Sequence, residues 1–400
     1  MNLLFINMTP IYHNTSALLR MCGFISGAYK LGNVCDLLTL AAEEDDYSYD
    51  STNEKFVEEY INHYYTFERK GSYNRLRQSR VGSQKGNAIK NVLRRIYRSV
   101  NIYDTQVINV SGIRSVQAQF NKYDRIISIS DPKSSHKLAE ELMLQNNIED
   151  ISNKWIQCWG DPWFRDSGNK YALVRRKVFC EEGHYLDMAK RIVYTSPFTL
   201  EEQRKLFDKN ADKMTYVNQS VKPSLINSLK ENGNNGSEKE KFVIGYFGSY
   251  GSRVRNILPL YETCNRRKHK LKIVGGSDIC LESTDYVEII KKQTLAAVDE
   301  MEQQADILVC ICNKSGTQIP GKIYYSAGYQ KPIIIVVDGE RSSEMRAFFE
   351  SFHRYIICNN DVESIERAIK KAKREICENR VYEMDKRYTD TYAAKVLLGD

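Results

Sequence analysis

The chain has 400 residues, of which 42% are hydrophobic and 27% are charged, and its net charge is +7. This length is too great for one ordinary core and predicts a globular protein of about two domains. No apolar run approaches the roughly 20 residues that cross a bilayer. The N-terminus MNLLFINMTP also lacks the basic region of a signal peptide, so we expect a cytoplasmic protein.

The first part of the chain opens with a β-α-β pattern. Residues 3–7 and 34–40 predict strands, and the segment of about 15–30 between them predicts a helix. Residues 41–110 interrupt the alternation and are predicted to be an insertion. Within it, an acidic EEDD run at 43–46 is expected to be a solvated loop, and aromatic and basic segments follow.

The basic segment of the insertion is unusually one-sided in charge. From Arg69 to Tyr103 there are ten Lys and Arg residues and no Asp or Glu. Residues 88–100 have the pattern of a basic amphipathic helix. Its polar face carries Lys90, Arg94, Arg95 and Arg98. Three interpretations stay open: a core-packed helix with a solvated face, docking on an anionic membrane leaflet, or contact with nucleic acid, which lacks a supporting motif and is not expected.

Strand and helix signals then alternate regularly. Strands are predicted at 124–130, 154–160, 191–196 and 214–217, with helices at 134–145, over LVRRKVFCEEGHYLDMAK and near Leu200. The polar, Gly- and Asn-rich residues 219–240 are interpreted as a linker. A second series has strands at 241–248, 270–276, 306–312 and 333–337, and helices near 256–264 and over VDEMEQQA. This alternation predicts parallel sheets with helices on both faces.

The predicted fold class is therefore α/β, with two Rossmann-like doubly wound domains that face a cleft. The N-terminal domain is placed at residues 1–218 and the C-terminal domain at 241–375. Residues 376–400 are predicted to be a helical segment, with packing against the first domain as one option. The ten Cys are scattered without zinc spacing and are interpreted as small buried residues in a reducing compartment.

Three loops follow successive strands of the second series, at Gly248–Asn256, Gly275–Asp278 and Asn313–Lys322. A doubly wound sheet brings such loops together at one edge. Among them they carry Arg253, Arg255, Asp278, Thr317 and Lys322. A nucleotide diphosphate needs cations and backbone N–H donors, which this edge can supply. A set of tight turns with exposed arginines is the alternative.

Two loops of the first half also carry candidate site residues. The loop at 159–166, WGDPWFRD, combines Trp159 and Trp163 with Asp161. This combination suits a sugar, because the apolar faces of a sugar ring stack on aromatic side chains. Core packing of both tryptophans is the alternative. The loop at 8–16 carries His13, a candidate base or a satisfied histidine.

The segment at 316–337 gives the chain a family resemblance. Ile319–Ile334 reads IPGKIYYSAGYQKPII and resembles the segment IPSKIFEYMSTGKPII of bacterial GT-B glycosyltransferases of the large retaining group, family 4-like, which build surface polysaccharides. The QQADILVCICN, GYFGSYGSR and SALLRMCGFISGAYKLGN segments are also similar. The resemblance covers most of the chain but is strong only over about 240–337, and it matches nothing in 41–110.

The resemblance implies specific roles. Lys322 and the Gly248–Arg253 loop match positions that meet the donor diphosphate, and Asp161 matches an acidic loop residue that faces the cleft. Tyr325 stands where the family has a ribose-binding glutamate, and it offers one hydrogen bond instead of a bidentate contact. Taken together, the loops and the resemblance predict a set of donor-binding residues: Gly248, Ser249, Gly251, Arg255, Gly275, Thr317, Gly321 and Tyr325. The predicted catalytic residues are Asp161, Arg253 and Lys322. The loops of the first half, and not the resemblance, supply the predicted acceptor residues His13, Trp159 and Trp163.

The predicted function is transfer of a sugar from a nucleotide diphosphate sugar to a glycan or lipid-linked acceptor. By resemblance it is retaining and needs no metal or other cofactor. The alternatives are a nucleotide-sugar epimerase of the same fold and a non-catalytic nucleotide-binding or scaffold protein. An adaptor for membranes or RNA, acting through residues 69–100, is a further one. Lys322→Ala is expected to reduce turnover with the fold intact.

Overall fold

A computed structural model of the chain describes residues 1–13, 15–44, 46, 49–71, 101–116, 118–166, 172–221 and 242–399. The predicted basic helix at 88–100 and most of the predicted linker lie outside these residues. The described chain divides into two compact units, one of residues 1–217 with 393–400 and one of residues 218–392. Residues 376–392 therefore stay with the second unit, and only the last residues return to the first.

The first unit contains a seven-stranded parallel sheet with the order β3-β2-β1-β4-β5-β6-β7 among its described residues. The strands are β1 Asn2–Asn7, β2 Val34–Leu40, β3 Tyr64–Phe67, β4 Arg125–Ile129, β5 Trp155–Trp159, β6 Arg191–Tyr194 and β7 Met214–Tyr216. The helices are α1 Ser16–Lys30, α2 Glu54–Tyr60, α3 Ser134–Gln145, α4 Ile151–Lys154, α5 Ala172–Met188 and α6 Pro197–Leu206. Short 3₁₀ segments lie at Ser51–Asn53, Thr105–Ser115, Phe120–Lys122 and Asp208–Lys213.

The second unit contains a six-stranded parallel sheet with the order β10-β9-β8-β11-β12-β13. Its strands are β8 Val243–Phe247, β9 Lys270–Val274, β10 Val287–Ile290, β11 Ile307–Ile311, β12 Ile333–Val337 and β13 Ile356–Asn359. Its helices are α7 Leu258–Arg267, α8 Leu295–Gln304, α9 Gly321–Tyr325, α10 Ser342–Glu350 and α11 Val362–Cys377, and α12 Asp390–Leu398 runs on into the first unit. Ser326–Gly328 and Lys386–Tyr388 are 3₁₀.

Both faces of the first sheet are buried. Leu4 and Ile6 of β1 pack with α3 and α5 side chains in one apolar cluster, whereas Leu3 and Phe5 pack with α1 and α12 in another. This alternation follows from the period of two along a strand. Because both faces are covered by helices, the strands read as nearly continuous apolar runs, which explains why they were predictable.

Two parts of the predicted organisation need correction. The INHYYTF segment, assigned to the insertion, supplies β3, which pairs with β2 from Leu37↔Tyr64 to Leu40↔Phe67. The EEDD run is not wholly solvated, because Asp46 is buried. In the second unit, β10, β13 and α10 were not predicted. The predicted fold class, two Rossmann-like α/β domains, is confirmed.

Candidate functional site

The strand order of the second sheet reverses between the neighbouring strands β8 and β11. From β8 the chain builds outward through β9 to β10, and from β11 it builds outward through β12 to β13. In open α/β sheets, ligands bind outside the carboxyl ends of the strands at such a switch point. The loops that follow β8 and β11 are therefore the first place to look for a site in this unit.

The loop after β8 forms a closed turn in which one arginine is exposed and another is hydrogen-bonded to a neighbouring loop. Gly251 N–H donates to the Arg255 carbonyl at 3.0 Å, which leaves Arg253 exposed at the tip. Arg255 points back across the edge, where its Nε donates to Asn313 Oδ1 at 2.9 Å and its Nη1 to the Ser249 carbonyl at 3.1 Å. Arg255 thus ties this loop to the loop after β11.

The loop after β9 comes very close to the loop after β8, and glycines make this possible. A Cβ on Gly275 would lie 2.1 Å from the Gly248 carbonyl oxygen, and a Cβ on Gly251 would lie 2.2 Å from Asp278 Oδ1. Asp278 accepts hydrogen bonds from Ser252 N–H at 3.1 Å and Ser252 Oγ at 3.3 Å. Any side chain at Gly275 would push the two backbones apart.

The loop after β11 completes the edge, so the three predicted loops do meet. Lys314 N–H donates to the Val254 carbonyl at 2.8 Å, and Lys314 Nζ lies 3.4 Å from the Ser252 carbonyl. Thr317, a predicted donor residue, is buried. The exposed groups of the edge are instead Ser249, Arg253 and the polar tip of the loop after β11.

Lys322, at the start of α9, forms an ion pair that its surroundings in sequence did not indicate. Its ammonium contacts the carboxylate of Glu302, which lies on α8 and is fully buried. Glu302 also accepts a hydrogen bond from the Tyr329 hydroxyl at 2.9 Å. The Lys322 side chain is 22% exposed and lies 5.7 Å from the Phe247 ring centroid. Lys322, which was predicted to meet the donor diphosphate, is therefore a partly exposed cation that is already paired with a carboxylate.

Tyr325, which replaces the glutamate of the similar glycosyltransferase segment, is buried and hydrogen-bonded within its own unit. Its hydroxyl donates to Gln219 Oε1 at 2.5 Å. Gly321 makes room for this pair, because a Cβ there would lie 3.0 Å from the Tyr325 ring and 3.1 Å from Gln219 Oε1. The hydroxyl can meet a ribose only as an acceptor, since its proton is already donated.

In the first unit, Asp161 lies in a cluster of charges at the carboxyl ends of β4 and β5. Lys133 forms an ion pair with Asp131 at 2.8 Å and donates to the Asp161 carbonyl. Arg20 of α1 reaches the Ser130 carbonyl past Gly160, where a Cβ would lie 2.4 Å from the guanidinium. Burial, and next the Asp131 carboxylate, raises the pKa of Asp161 to about 6. Such a shift is typical of functional sites, although structural networks also produce it.

The loop after β5 is held from behind by a fully buried carboxylate. Glu182 of α5 accepts hydrogen bonds from the N–H groups of Trp163 at 3.3 Å and Phe164 at 2.8 Å. Burial raises the pKa of Glu182 to about 7. Burial alone would lower the pKa of Lys133, but Asp131 and Asp161 outweigh it and raise that pKa.

The prediction that Trp159 and Trp163 stack on an acceptor sugar needs correction. Trp159 is fully buried and Trp163 is 3% exposed, and both belong to one apolar cluster of the first unit. Trp159 packs on His136 with ring centroids 4.1 Å apart, and its Nε1–H donates to Gln157. Stacking a sugar would require exposed ring faces, so core packing is the correct interpretation.

His13 is part of a buried polar group instead of standing alone. Its Nε2 lies 2.8 Å from Asp46 Oδ2, and Arg69 binds the same carboxylate with two guanidinium nitrogens. Burial opposes ionisation of Asp46, but Arg69 and then His13 outweigh it and hold the pKa of Asp46 well below its usual range. A histidine fixed in this way has a defined orientation, which a base requires, but structural support explains it equally well.

Other predicted features have simpler outcomes. In the described part of the chain, no helix has the length and apolar character needed to cross a membrane. Within the same residues, no group of three or more His, Cys, Asp or Glu side chains is arranged to hold a metal ion. The predicted membrane-facing residues Lys90, Arg94, Arg95 and Arg98 fall outside the described ranges.

Sequence reasoning missed Glu302, Asn313, Gln219, Asp131 and Lys133. Glu302 had a signal, since it falls on the same face of α8 as Leu295 and Val298 at helical spacing. A carboxylate on the apolar stripe of a helix indicates a buried partner. The contacts of Asn313, Gln219 and Lys133 with Arg255, Tyr325 and Asp161 join distant segments and carry no local pattern. The Asp131–Lys133 ion pair is local.

Comparison with known proteins identifies solved structures of similar fold. No family model matches the chain, and no curated protein matches its sequence. WaaG, a glycosyltransferase involved in lipopolysaccharide biosynthesis, aligns over 100% of both chains at 10% identity with a TM-score of 0.53. The E. coli structure described as trehalose-6-phosphate bound with UDP-2-fluoro glucose aligns over 100% of this chain and 96% of its own, at 10% identity and a TM-score of 0.53.

A third similar structure is an enzyme of another reaction class. The UDP-GlcNAc 2-epimerase from Methanocaldococcus jannaschii aligns over 100% of both chains at 11% identity, with a TM-score of 0.51. Identities this low show the fold alone, which is the two-domain Rossmann-like architecture of GT-B proteins. Both glycosyltransferases and epimerases share it, so the fold does not choose between them.

Proposed function

We propose that the chain is a glycosyltransferase that moves a sugar from a nucleotide diphosphate sugar to a hydroxyl of an acceptor. The observation that carries this proposal is the position of Arg255 at the switch point of the second sheet. Its guanidinium is fixed by two neutral oxygens, those of Asn313 and Ser249. Among the described residues no carboxylate pairs with it, so its charge is available to an anion.

The donor diphosphate would lie on the three joined loops of the second unit. Gly251 and Gly275 let the loops after β8 and β9 lie against each other. The diphosphate would meet N–H groups that the turn does not use internally, such as those of Ser249 and Arg253. Arg255 would stabilise the negative charge that grows on the leaving diphosphate. Arg253, at the exposed tip of the turn, would supply a second cation.

Lys322 keeps a role in the proposal, but a different one. Glu302 fixes the ammonium in place and neutralises part of its charge, so Lys322 would contribute mainly as a positioned hydrogen-bond donor. Tyr325 would support α9 through Gln219. Ribose recognition then falls to other groups of the edge, because a tyrosine cannot reproduce the bidentate contact of a glutamate.

The first unit is proposed to hold the acceptor, with Asp161 at its carboxyl edge. A carboxyl group with a pKa of about 6 is part protonated near neutral pH and can accept or return the proton of an acceptor hydroxyl. His13 is a second candidate for contact with the acceptor. The tryptophans are not carried into this proposal, because both are buried.

The finer description of the reaction follows from the sequence resemblance. It comprises retention of anomeric configuration, independence from metals and other cofactors, and a glycan or lipid-linked acceptor of bacterial surface polysaccharide synthesis. Docking at the inner face of the membrane through Lys90, Arg94, Arg95 and Arg98 belongs to the same proposal. WaaG, one of the proteins of similar fold, acts in lipopolysaccharide biosynthesis, which fits this class of acceptor.

Binding of a nucleotide sugar is the first test. A panel of UDP-, GDP-, ADP- and dTDP-sugars is added to the protein, and thermal unfolding is followed. A ligand at about 100 times its Kd should stabilise the folded state by about 2.7 kcal/mol. Arg255→Gln should weaken binding of the responding sugar by about 10-fold or more, since it removes a charged contact.

The matched control is Arg266→Gln, on α7 of the same unit. The Arg266 side chain is 67% exposed and pairs with Glu262, so its loss removes a charge without touching the three loops. Binding of the sugar to the control should equal wild type. The proposal fails if no nucleotide sugar stabilises the protein, or if Arg255→Gln binds as tightly as the control.

Epimerisation is the second candidate function, because the Methanocaldococcus jannaschii epimerase has the same fold. Incubation with the responding nucleotide sugar alone separates the two reactions. An epimerase converts the sugar without an acceptor, and a transferase releases nucleoside diphosphate only when an acceptor is added. Tight binding with neither reaction would favour the non-catalytic nucleotide-binding alternative.

A further inference from the structure

A concave groove lies at one end of the second sheet, away from the switch point. It has a volume of about 320 Å³, and all four residues of the edge strand β13 line it, together with side chains of α10 and α11. Three of its lining side chains are cationic: Arg346, Arg367 and Lys371. None of its lining residues is acidic. None of them belongs to the donor edge, so the groove is independent of the proposed function.

The two arginines of the groove donate hydrogen bonds to neutral partners. Arg346 Nη2 donates to Asn359 Oδ1 at 2.7 Å, and its Nη1 lies 3.4 Å from the Ile357 carbonyl. Arg367 Nη2 donates to Ser364 Oγ at 2.9 Å. Lys371 lies one turn further along α11 on the same face, since residues four apart are neighbours on a helix. The guanidiniums are therefore oriented while their charge is left uncancelled.

The nearest carboxylates compete weakly for these cations. Glu350 is 4.0 Å from Arg346 and its side chain is 60% exposed, so water screens the pair. Glu375 is 3.9 Å from Lys371 but accepts shorter hydrogen bonds from Arg380 and, at 2.8 Å, from Tyr382. Burial raises the pKa of Cys358 to about 12, so its thiol adds no negative charge to the groove.

We propose that this groove binds a phosphate-bearing ligand. Two guanidiniums and an ammonium around one concavity repel each other unless an anion lies between them. Arg side chains with fixed forks match the geometry of phosphate oxygens better than a single lysine does. A multiply charged group is favoured over a single carboxylate, because three cations converge on it. The phosphate comes either from a free anion or from a lipid headgroup.

Two binding arms separate these sources. Inorganic pyrophosphate is titrated by calorimetry, and flotation is measured with vesicles of phosphatidylcholine alone or with phosphatidic acid added. The protein in both arms carries Arg253→Gln and Arg255→Gln at the donor edge. It also carries Gln at the proposed membrane-docking positions Lys90, Arg94, Arg95 and Arg98, so that neither site accounts for the binding. A free anion predicts saturable pyrophosphate binding, and a lipid source predicts flotation that needs phosphatidic acid.

The decisive variant is Arg367→Gln/Lys371→Gln, matched by Lys370→Gln/Arg374→Gln on the same helix. Both pairs replace one exposed Arg and one exposed Lys of α11 with Gln, so net charge and helix propensity change equally. The control pair also removes the Lys370–Glu366 and Arg374–Glu378 ion pairs, so its stability is compared with that of the test pair. We expect the first pair to weaken binding about 10-fold or more in the responding arm, and the control pair to change it less than about 2-fold. Arg367→Lys/Lys371→Arg should restore most of the affinity.

Two results overturn the proposal. One is equal binding by both pairs of variants, which would mean that any basic surface suffices. The other is no binding of pyrophosphate or phosphatidic acid by the protein with an intact groove. Urea unfolding of each variant shows that a loss of binding is not a loss of fold. A failure here leaves the donor proposal untouched, because that proposal is tested by Arg255→Gln in the otherwise wild-type chain.

Discussion

Lys322→Ala is expected to destabilise the second unit, because it leaves the Glu302 carboxylate buried without its cation. From the sequence alone the fold was expected to survive this substitution, since Lys322 was interpreted as a ligand-facing charge. The ion pair changes the expectation. A loss of turnover in Lys322→Ala would therefore not by itself show that Lys322 acts in catalysis.

The size of the effect follows from the burial of the two partners. Removing one member of a buried ion pair destabilises by about 3–5 kcal/mol. Glu302 is fully buried, but the Lys322 side chain is 22% exposed, so some water reaches the pair. We therefore expect a loss of about 2–3 kcal/mol, at or below the lower end of that range. Glu302→Gln should be milder, about 1 kcal/mol, because its amide oxygen can still accept from Tyr329.

The double variant Lys322→Ala/Glu302→Gln is the key comparison. With no buried charge left, it should lie closer to wild type in stability than Lys322→Ala does. All three tryptophans, Trp155, Trp159 and Trp163, are in the first unit, so their fluorescence does not report this change. Thiol labelling of Cys310 and Cys312, both buried in or just after β11, measured by mass spectrometry in increasing urea, does report it.

The reasoning is refuted if Lys322→Ala unfolds within about 0.5 kcal/mol of wild type, or if adding Glu302→Gln restores nothing. Either result would mean that the ion pair does not support the fold. If the double variant is restored in stability, its turnover becomes the proper test of Lys322 in catalysis. Under the proposed function, that turnover stays well below the turnover of Glu302→Gln alone.

Three further predictions rest on single contacts. Burial raises the pKa of Glu182 from 4.5 to about 7, so between these pH values the folded state binds more protons than the unfolded state. The free energy of unfolding should therefore fall as pH rises through this range, by up to about 3 kcal/mol. Glu182→Gln should flatten this slope in urea titrations followed by tryptophan fluorescence. Gly275→Ala should abolish nucleotide-sugar binding because its Cβ meets the Gly248 carbonyl, whereas Gly276→Ala, with open space around its Cβ, should bind normally in the same titration. Tyr325→Phe should destabilise the second unit by about 1–3 kcal/mol in the thiol-labelling assay and leave nucleotide affinity unchanged. A large loss of affinity would instead indicate that Tyr325 binds the ribose.

The strands that the sequence missed are short strands at sheet edges, although one edge strand, β7, was predicted. The run at 333–337 and the helix at 134–145 were predicted to the residue, because buried parallel strands and amphipathic helices leave strong patterns. The missed strands β3, β10 and β13 have four residues each and lie at sheet edges. An edge strand is half exposed, so its apolar signal is short and mixed.

The prediction that Trp159 stacks on a sugar was wrong, and the residue spacing within β5 already indicated this. Trp155 and Trp159 are four residues apart on β5, so they lie on the same face of the sheet. Placing one in the core places the other there too. The nearby Asp161 suggested a sugar site, but the regular spacing within the strand was the stronger indication and favoured the core.

The roles of the cations at the donor edge show what local sequence cannot decide. When only their loops were known, Arg253 and Lys322 were predicted to be catalytic and Arg255 was predicted to bind the donor. The structure separates them by their partners: Lys322 meets a buried carboxylate, Arg253 is at an exposed tip, and Arg255 is fixed by neutral oxygens. Only the last arrangement combines a defined position with an uncancelled charge, which is the combination that transition-state stabilisation requires. The identity of the partner, 58 residues away at Asn313, sets that combination and leaves no trace in the loop's own sequence.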